Sequence, residues 1–251
     1  NSINIESISI LFMIIGSLPF VIYLKIIHGD WKSFIKDEQI KLLFFIILIL
    51  IILTTIWLQI NFEKTVLSSL RIVSFNIISI LTGTGYTSSN FNLWGGFGLT
   101  IMFIIMFIGG CAGSTTGGVK IFRLLLLFRG AKAQIKKLTH PHGVFITSFN
   151  QKSVAEDTFN SIMGFFFIYI LIFILSAIIL SFIGLDFLTS ISASASAISN
   201  VGPGLGSLIG PTGNYSIMPI EAKWVLSFTM LIGRLELFTI LVLLSLSFWK
   251  K

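Results

Sequence analysis

A segment rich in glycine and hydroxyl groups interrupts the apolar middle of the chain. It reads GGCAGSTTGGVK over Gly109–Lys120 and lies between the apolar runs LTIMFIIMFI and IFRLLLLF. Its residue types are those of a phosphate-binding loop, but a Walker loop needs Gly, four residues, Gly, Lys and Ser or Thr, between a strand and a helix. Here Val119 separates Gly118 from Lys120, and Ile121 follows the lysine. The spacing therefore argues against a nucleotide site.

Two further glycine-bearing segments each follow a short, helix-like stretch. The first, TGTGYTS at Thr82–Ser88, comes after Ser68–Leu81; the second, SNVGPGLG at Ser199–Gly206, comes after Phe187–Ile198. Both helix-like stretches are rather apolar, but they are shorter than the roughly 20 residues that cross a bilayer. The order of long apolar run, short helix, glycine loop and long apolar run occurs twice, which indicates an internal repeat.

The backbone chemistry of these glycine loops suits an alkali cation. Irregular backbone at membrane depth survives only where it lines water or is buried in protein. A half-helix that stops there directs its partly negative carbonyl end at the ion path, and glycine lets carbonyl oxygens replace the ion's hydration shell. An ordinary turn is the alternative for either loop alone, but the repeated placement favours a filter. The predicted potassium-binding residues are Gly83, Thr84, Gly85, Tyr86, Asn200, Val201, Gly202 and Pro203.

The composition is that of a chain in a lipid bilayer. Hydrophobic residues make up 55% of the 251 residues and charged residues only 11%, against roughly a quarter charged in soluble domains. The net charge of +7 could suggest nucleic acid, but the lysines concentrate in the first and third connections between apolar runs, as in cytoplasmic loops. Five membrane spans are predicted, at Ser7–Ile27, Leu42–Ile60, Leu99–Phe128, Phe159–Leu185 and Lys223–Phe248.

An odd number of spans puts the two ends of the chain on opposite sides of the membrane. The positive-inside rule places Asn1 outside and Lys251 in the cytoplasm. A single cysteine, Cys111, excludes an internal disulfide and a cysteine-ligated metal site. The chain begins without methionine or a charged leader, so no signal peptide is predicted and we expect a part of a longer protein. Four tryptophans lie near the run ends, as interfacial aromatics do: Trp57, Trp94, Trp224 and Trp249.

Three motifs together resemble one family. The family is the Trk/Ktr/HKT potassium transporters, and within this family the resemblance is to the bacterial TrkH branch. The similar parts of that family are its gating loop, its fourth filter and its last pore-lining helix, which correspond in order to GGCAGSTTGGVKIFRLLLL, SNVGPGLG and TMLIGRLELFTILVLL. The resemblance implies an all-α integral membrane protein of the bacterial cytoplasmic membrane, with four span–pore helix–span repeats around one ion path. It also implies a homodimer of complete subunits, a cytosolic nucleotide-binding regulatory subunit, K⁺ as the transported ion and no organic cofactor.

On this resemblance the chain carries two complete repeats and the end of another. Residues 1–41 hold the last helix of a preceding repeat and a cytoplasmic loop, and residues 42–129 hold the third repeat with its gate loop at 109–120. Residues 130–158 form a basic cytoplasmic loop, and residues 159–251 form the fourth repeat. The front half is therefore expected either to be missing or to be a companion chain, with membrane lipid around the assembly and no nucleic-acid partner.

The resemblance also implies that the segment 109–120 lies across the ion path below the filter and gates it. Glycines break the helix, and small hydroxyls can satisfy freed backbone groups or solvate an ion. Close helix packing of the GxxxG kind is the alternative. The candidate gate residues are Gly110, Cys111, Ala112, Gly113, Ser114, Thr115, Thr116, Gly117, Gly118, Lys120 and Arg234.

Arg234 and Glu236 lie inside the last apolar run, where an ionisable group usually faces a cavity or a partner. Residues two apart do not share a helix face, so each needs its own partner. The resemblance implies that Arg234 faces the pore and donates to gate-loop carbonyls. A buried ion pair with Lys120 or Arg123 suits Glu236 better.

Two other classes of function are alternatives to transport. A membrane-embedded enzyme would need convergent catalytic groups. Arg234 and Glu236 are the intramembrane ionisable residues with a claim to such a role, with no histidine or cysteine pair beside them, so we predict that the chain is not an enzyme. A non-conducting structural or regulatory half-subunit would share the same fold and stays open. His140 and His142 lie in the basic loop, where solvated side chains or docking of a regulatory subunit are favoured over a metal site.

The filter prediction can be tested at Gly85. Sodium-preferring members of the resembled family carry serine at one filter position, in a repeat that this chain lacks, whereas Gly85 and Gly202 are both glycine. We expect Gly85→Ser to lower the preference for potassium over sodium in the complete assembly, meaning this chain together with the part that supplies the other repeats. The ratio of rubidium to sodium uptake measures it, and an unchanged ratio would contradict the filter assignment.

Overall fold

Helices dominate the part of the chain that the structure, a computed structural model, describes: residues 2–62, 65–140, 143, 145, 147–234, 242 and 246–249. The helices are α1 (Ile3–Ser17), α2 (Phe20–Ile27), α3 (Trp31–Lys36), α4 (Glu38–Phe62), α5 (Val66–Leu81), α6 (Gly95–Phe107), α7 (Ile121–Thr139), α8 (Glu156–Phe182), α9 (Phe187–Ser199), α10 (Gly206–Ile209), α11 (Ile220–Arg234) and α12 (Leu246–Trp249). Short 3₁₀ turns span Phe91–Leu93 and Tyr215–Ile217, and the strands β1 (Ser148–Phe149) and β2 (Lys152–Ser153) form a hairpin.

Two of the five predicted spans are continuous helices. Among the described residues, α4 and α8 are long and apolar enough to cross a membrane, judged by length and composition. They contain the run Leu42–Ile60 and most of Phe159–Leu185. The third predicted span is interrupted between α6 and α7, and the fifth begins as α11 and continues into positions outside the described residues. Phe45 and Phe182 are among the large apolar side chains that α4 and α8 leave exposed, as contact with lipid requires.

The first predicted span, Ser7–Ile27, is wrong as a single helix. It forms α1 and α2, which are bent by 95° relative to each other. Proline cannot donate a backbone hydrogen bond and disfavours helical backbone at the residue before it. Leu18 is accordingly extended, with φ −88° and ψ 156°, and Pro19 begins the new direction as the cap of α2.

The two span–short helix–span units pack side by side. In the first unit α5 packs on α4 and α6; in the second α9 packs on α8 and α11, and α6 contacts α9 between the units. Helix α9 reads FLTSISASASAIS and is buried from Ser192 to Ser199. Its serines and alanines let neighbouring helices approach closely. An ion pair of 2.9 Å between Arg71 Nε and Glu6 Oε2 holds α1 against α5.

The tryptophans divide between surface and core. Trp224 and Trp249 are exposed, whereas Trp94 is only 2% exposed and packs edge-on against Phe91. Trp57 Nε1 donates to the carbonyl oxygen of Trp94 at 2.9 Å. Trp94 still lies at a helix end, as the cap of α6, but its ring fills the core of the first unit instead of facing lipid.

Helix α7 continues past the predicted boundary at residue 129 into the expected basic loop. The helix continues because the segment RGAKAQIKKL is rich in residues with high helix propensity, and it ends at Thr139. The hairpin follows, with Asn150 and Gln151 at its turn in the left-handed region, φ 45° and 64°, as type I′ hairpin turns require. His140 caps the end of α7, and His142 lies outside the described residues.

Candidate functional site

The two glycine loops adopt closely similar backbone conformations. Gly83 (φ 67°) and Asn200 (φ 55°) follow α5 and α9 in the left-handed region, and two residues later Gly85 and Gly202 have φ 77° and 114°. Both pairs, 83 with 200 and 85 with 202, are 117 positions apart. The hydrogen bonds match as well: the carbonyl oxygens of Ser79 and Ser196 accept from the N–H groups of Thr84 and Val201, each at 2.9 Å.

The loops lie against each other with little room for a side chain. A Cβ added to Gly85 would overlap the carbonyl oxygen of Val201, and one added to Gly83 would lie 3.5 Å from the carbonyl oxygen of Asn200. Carbonyl oxygens of the second loop therefore face the first. Pro203 Cδ would lie 3.1 Å from the same Cβ on Gly85. Carbonyl oxygens are the groups with which potassium filters replace hydration water.

Open space adjoins the first loop. Thr84 and Tyr86 line a cleft of about 350 Å³ whose other wall is formed by α1, with Phe12 and Gly16. Tyr86 is 66% exposed. The first loop thus has one side against Asn200–Pro203 and another side that faces this cleft.

Two buried or half-buried asparagines brace the loops from behind, and sequence analysis missed both. Asn76 on α5 is fully buried, and its Nδ2 donates to Ser88 Oγ at 2.9 Å. Asn92 donates to the carbonyl oxygen of Gly206 at 2.8 Å and accepts from its N–H at 3.2 Å. A lone asparagine in an apolar short helix must find partners when it is buried, so this signal could have identified Asn76.

The segment between α6 and α7 is a closed loop. Val119 N–H donates to the carbonyl oxygen of Phe107, and Gly109 N–H donates to that of Val119, both at 2.9 Å. Ile121 N–H donates to the carbonyl oxygen of Gly110 at 3.0 Å. These bonds fasten the end of α6 to the start of α7, so the residues between them protrude as one unit, the loop 108–120.

The bend between α1 and α2 holds this loop in place. Cys111 N–H donates to the carbonyl oxygen of Ser17 at 2.9 Å, and Thr115 donates to that of Gly16 from its N–H at 3.3 Å and from its hydroxyl at 3.0 Å. In return, Phe20 N–H donates to the carbonyl oxygen of Gly113 at 3.0 Å. Backbone groups left unpaired by the bend are thus satisfied by the loop.

Within the loop, hydroxyl groups replace missing backbone partners. Thr116 Oγ1 accepts from the N–H of Gly110 at 2.8 Å, and Ser114 Oγ donates to the carbonyl oxygen of Cys111 at 2.6 Å. Ser114 and Thr116 also bond to each other at 2.9 Å. Gly118 has φ 68°, which glycine adopts without strain.

The loop lies directly against the glycine loops. A Cβ on Gly117 would overlap the carbonyl oxygen of Ser199, and one on Gly83 would lie 3.8 Å from Gly117 N. On α11, a Cβ on Gly233 would overlap the carbonyl oxygen of Ile198. Backbone therefore contacts backbone at the point where the three loops meet, which is why these positions are glycine.

Arg234 points at the loop from α11. Its Nη1 donates to the carbonyl oxygen of Thr115 at 2.8 Å. Both residues line a cavity of about 260 Å³, whose described wall also includes Lys120 and Arg123. The Arg123 guanidinium lies 3.8 Å from the centre of the Phe165 ring, a cation–π contact. Glu236, the other ionisable residue of the predicted last span, lies outside the described residues.

Cys111 and Ala112 are held by other parts of the chain than Arg234. Cys111 is fully buried in an apolar cluster with residues of α1, α2, α4 and α5. Ala112 N–H donates to Gln39 Oε1 at 2.8 Å, and Gln39 is itself buried. Nothing local in the sequence pairs Gln39 with a residue 73 positions away, so the sequence did not predict this contact.

A polar cluster connects Gln39 to the hairpin. Glu38 Oε2 accepts from Arg129 Nη1 at 2.8 Å and from Asn150 N–H at 3.1 Å. Asn150 Oδ1 accepts from the N–H of Glu38, and its Nδ2 donates to Asp37, both at 3.1 Å. The hairpin turn, the start of α4 and the loop 108–120 are therefore linked by consecutive hydrogen bonds.

These features define a helical membrane protein in which the two glycine loops contact the loop 108–120. The chain matches the family described as "TrkH: Cation transport protein" over residues 1–250, and it therefore belongs to that family.

The curated relatives and a solved structure agree with this family. The Trk system potassium uptake protein TrkI of Halomonas elongata is 40% identical over 241 residues, which cover 96% of this chain and 49% of the relative. TrkH of Salmonella typhimurium is 32% identical over 254 residues, covering 100% and 52%. The crystal structure of the potassium transporter TrkH from Vibrio parahaemolyticus matches with a TM-score of 0.92 and 32% identity, covering 100% of this chain and 54% of that one. The chain spans about half the length of these relatives, which are transporters rather than enzymes.

The hydrogen bond from Ala112 to Gln39 predicts a measurable protection of Cys111. Replacing Gln39 by leucine leaves the Ala112 N–H without its acceptor, which costs about 1–3 kcal/mol in an apolar setting and should loosen the loop. We expect Gln39→Leu to accelerate labelling of Cys111 by a thiol reagent roughly tenfold or more. Mass spectrometry of the labelled chain measures the rate.

The matched control is Gln59→Leu, the same substitution near the other end of α4 and away from the loop. It should leave the labelling rate of Cys111 at the value of the unsubstituted chain. Equal rates in both variants would show that Gln39 does not restrain the loop.

Proposed function

We propose that this chain is the carboxy-terminal part of a potassium uptake protein, in which K⁺ passes the two glycine loops and is gated by the loop 108–120. The observation that carries this proposal is the contact of that loop with both glycine loops, through Gly117 against Ser199 and Gly83. Membership of the family supports it, as does the potassium uptake for which its relatives are named.

Permeation in this proposal uses backbone carbonyl oxygens. The residues Gly83–Tyr86 and Asn200–Pro203 provide two segments of a filter, and the open cleft beside Thr84 and Tyr86 is where further segments would complete it. Those segments would come from the part of the assembly that this chain does not contain, in the same polypeptide or in a companion chain. Conduction then belongs to the complete assembly, which we propose forms a homodimer surrounded by membrane lipid.

The proposed orientation follows from the distribution of charge. The start of α1 lies outside, and the carboxy-terminal end lies in the cytoplasm of a bacterial cell, with the protein in its cytoplasmic membrane. The basic end of α7 and the hairpin β1–β2 then face the cytoplasm, where the positive-inside rule places lysines. This face is where we propose that a cytosolic nucleotide-binding regulatory subunit docks.

The gate works through a tether and a charge. Arg234 holds the loop by its hydrogen bond to Thr115 and places a permanent positive charge in the cavity below the filter. Two unit charges 4 Å apart interact with about 4 kcal/mol at an effective dielectric constant of about 20. A potassium ion that enters the cavity is therefore repelled until the loop and Arg234 separate, and opening requires the Thr115 bond to break.

Cys111 reports whether the loop moves. Its thiol is fully buried in the tethered arrangement, so a charged thiol reagent applied from the cytoplasm should reach it only when the loop opens. We expect such a reagent to block rubidium uptake under activating conditions, and Cys111→Ser to be immune. Labelling that is equally fast in active and inactive assemblies, or labelling without block, would favour a packed helix contact instead.

The central test of the gate is Arg234→Ala in the complete assembly. A hydrogen bond to a charged group contributes about 1.5–3 kcal/mol, so its loss should favour the open state roughly tenfold or more. We expect higher basal rubidium uptake into proteoliposomes and weaker control by the regulatory subunit. Arg234→Lys should be intermediate because it keeps the charge without the planar fork of donors, and deletion of Ser114–Thr116 should leak similarly.

Lys223→Ala provides the matched control. Lys223 Nζ donates to the carbonyl oxygen of Ser216 at 2.7 Å, a bond of the same kind at the other end of α11. This variant should keep low basal uptake. If Arg234→Ala abolished uptake in correctly inserted protein while the loop deletion leaked, Arg234 would support the open path and the gate model would be wrong.

A further inference from the structure

The backbone at Gly202 is held on both sides by side chains from outside the glycine loop. Its N–H donates to Ser196 Oγ at 3.0 Å, and its carbonyl oxygen accepts from the Tyr215 hydroxyl at 2.7 Å. The peptide between Gly202 and Pro203 has no N–H, because proline lacks one. Its carbonyl is therefore its only hydrogen-bonding group, and Tyr215 fixes the direction of that group.

Tyr215 is itself held firmly. It begins the 3₁₀ turn Tyr215–Ile217, which Asn214 caps by accepting from Ser216 N–H at 3.0 Å. The ring packs against a buried cluster that includes Ile209 and Met218. Burial raises the pKa of the Tyr215 hydroxyl, so the group stays protonated and remains a donor at physiological pH.

The first glycine loop lacks this arrangement. The residue equivalent to Tyr215 is Phe91, which begins the 3₁₀ turn Phe91–Leu93 capped by Asn90 and has no hydroxyl to donate. Ser79 lies 117 positions before Ser196, but its buried hydroxyl has no hydrogen-bond partner in the described part of the chain. Gly85 N–H instead donates to the backbone carbonyl oxygen of Ser79 at 3.2 Å. The two loops share a conformation, yet among the residues that the structure describes, side chains brace the central glycine of the second loop alone.

We propose that Tyr215 is a specificity-determining positioning residue, whose hydroxyl sets the direction of the Gly202 carbonyl and thereby the discrimination of potassium from sodium. The inference rests on the proposed function of the glycine loops as a filter. A carbonyl oxygen has two lone pairs, so the bond to Tyr215 leaves one for an ion.

The direction of the effect follows from the size of the ions. Sodium is smaller than potassium, and carbonyl oxygens must move inward to contact it. The Tyr215 bond opposes that movement and also draws electron density from the oxygen, which weakens its attraction for the smaller ion. Whether selectivity comes from cavity size or from carbonyl field strength, removing the hydroxyl favours sodium.

The test is Tyr215→Phe in the complete assembly reconstituted into liposomes. Phenylalanine keeps the ring and removes only the donor. We expect the concentration of sodium that halves rubidium uptake to fall roughly threefold to tenfold, as expected for loss of one hydrogen bond. Maximal rubidium uptake and the melting temperature should stay close to those of the unsubstituted assembly, because the ring still packs in place. A residue that only stabilised the outer loop would lower the melting temperature and leave the ion ratio unchanged.

Three serine variants sharpen the test. Ser196→Ala removes the acceptor for Gly202 N–H and should shift the ratio in the same direction, which keeps the inference testable if Tyr215→Phe does not fold. Ser79→Ala should change the ratio less than Ser196→Ala, since the Ser79 hydroxyl has no partner to lose among the described residues. Ser216→Ala removes a hydroxyl that bonds Asn214 in the same turn and should keep the original ratio.

The outcomes separate the two proposals. An unsubstituted assembly that takes up no rubidium would overturn the proposed function and this inference with it. An active assembly whose ion ratio is the same with Tyr215→Phe and with Ser196→Ala would overturn this inference alone. A shift in both variants, absent from Ser216→Ala, would establish that the side chains behind Gly202 set ion selectivity.

Discussion

Unpaired backbone groups in apolar surroundings are the constraint on which the arrangement of this chain depends. Lipid cannot satisfy an N–H or a carbonyl oxygen, so each break in a helix needs a partner within the protein. The bend between α1 and α2 and the loop 108–120 are two such breaks, and they satisfy each other: Ser17 and Gly16 accept from the loop, and Phe20 donates to it. Neither break could persist alone, so the bent first span and the candidate gate form one structural unit.

A second constraint is the absence of side chains where the three loops meet. Gly83, Gly85, Gly117 and Gly233 each place backbone where a Cβ would meet or approach a carbonyl oxygen or an amide of another segment. Carbonyl oxygens are consequently concentrated in a small volume with few side chains to screen them. Under the proposed function these oxygens would coordinate a dehydrated cation. Residues outside the glycine loops supply the braces: Asn76, Asn92 and Tyr215.

The polar cluster at the start of α4 connects the loop 108–120 to the hairpin β1–β2. Three consecutive residues, Asp37, Glu38 and Gln39, face two ways: the first two bond the hairpin turn at Asn150, and the third bonds Ala112 in the loop. The hairpin and the loop 108–120 are therefore connected through one helix end. The loop is thus held by the Gln39 bond to Ala112 as well as by the Arg234 bond to Thr115.

The sequence by itself determined the apolar runs, the short helices before the glycine loops and the break at Gly109–Lys120, because periodicity, length and glycine content are local properties. It also pointed to Arg234, whose contact with carbonyl groups of the loop was implied by family resemblance rather than by spacing; the structure identifies the acceptor as Thr115. Only the tertiary structure decided the 95° bend at Pro19, the burial of Trp94, and the roles of Gln39 and Asn92 as partners of distant backbone. The bonds of Gln39 and Asn92 join residues 73 and 114 positions apart. Packing makes the choice among many possible polar partners, and no local pattern records it.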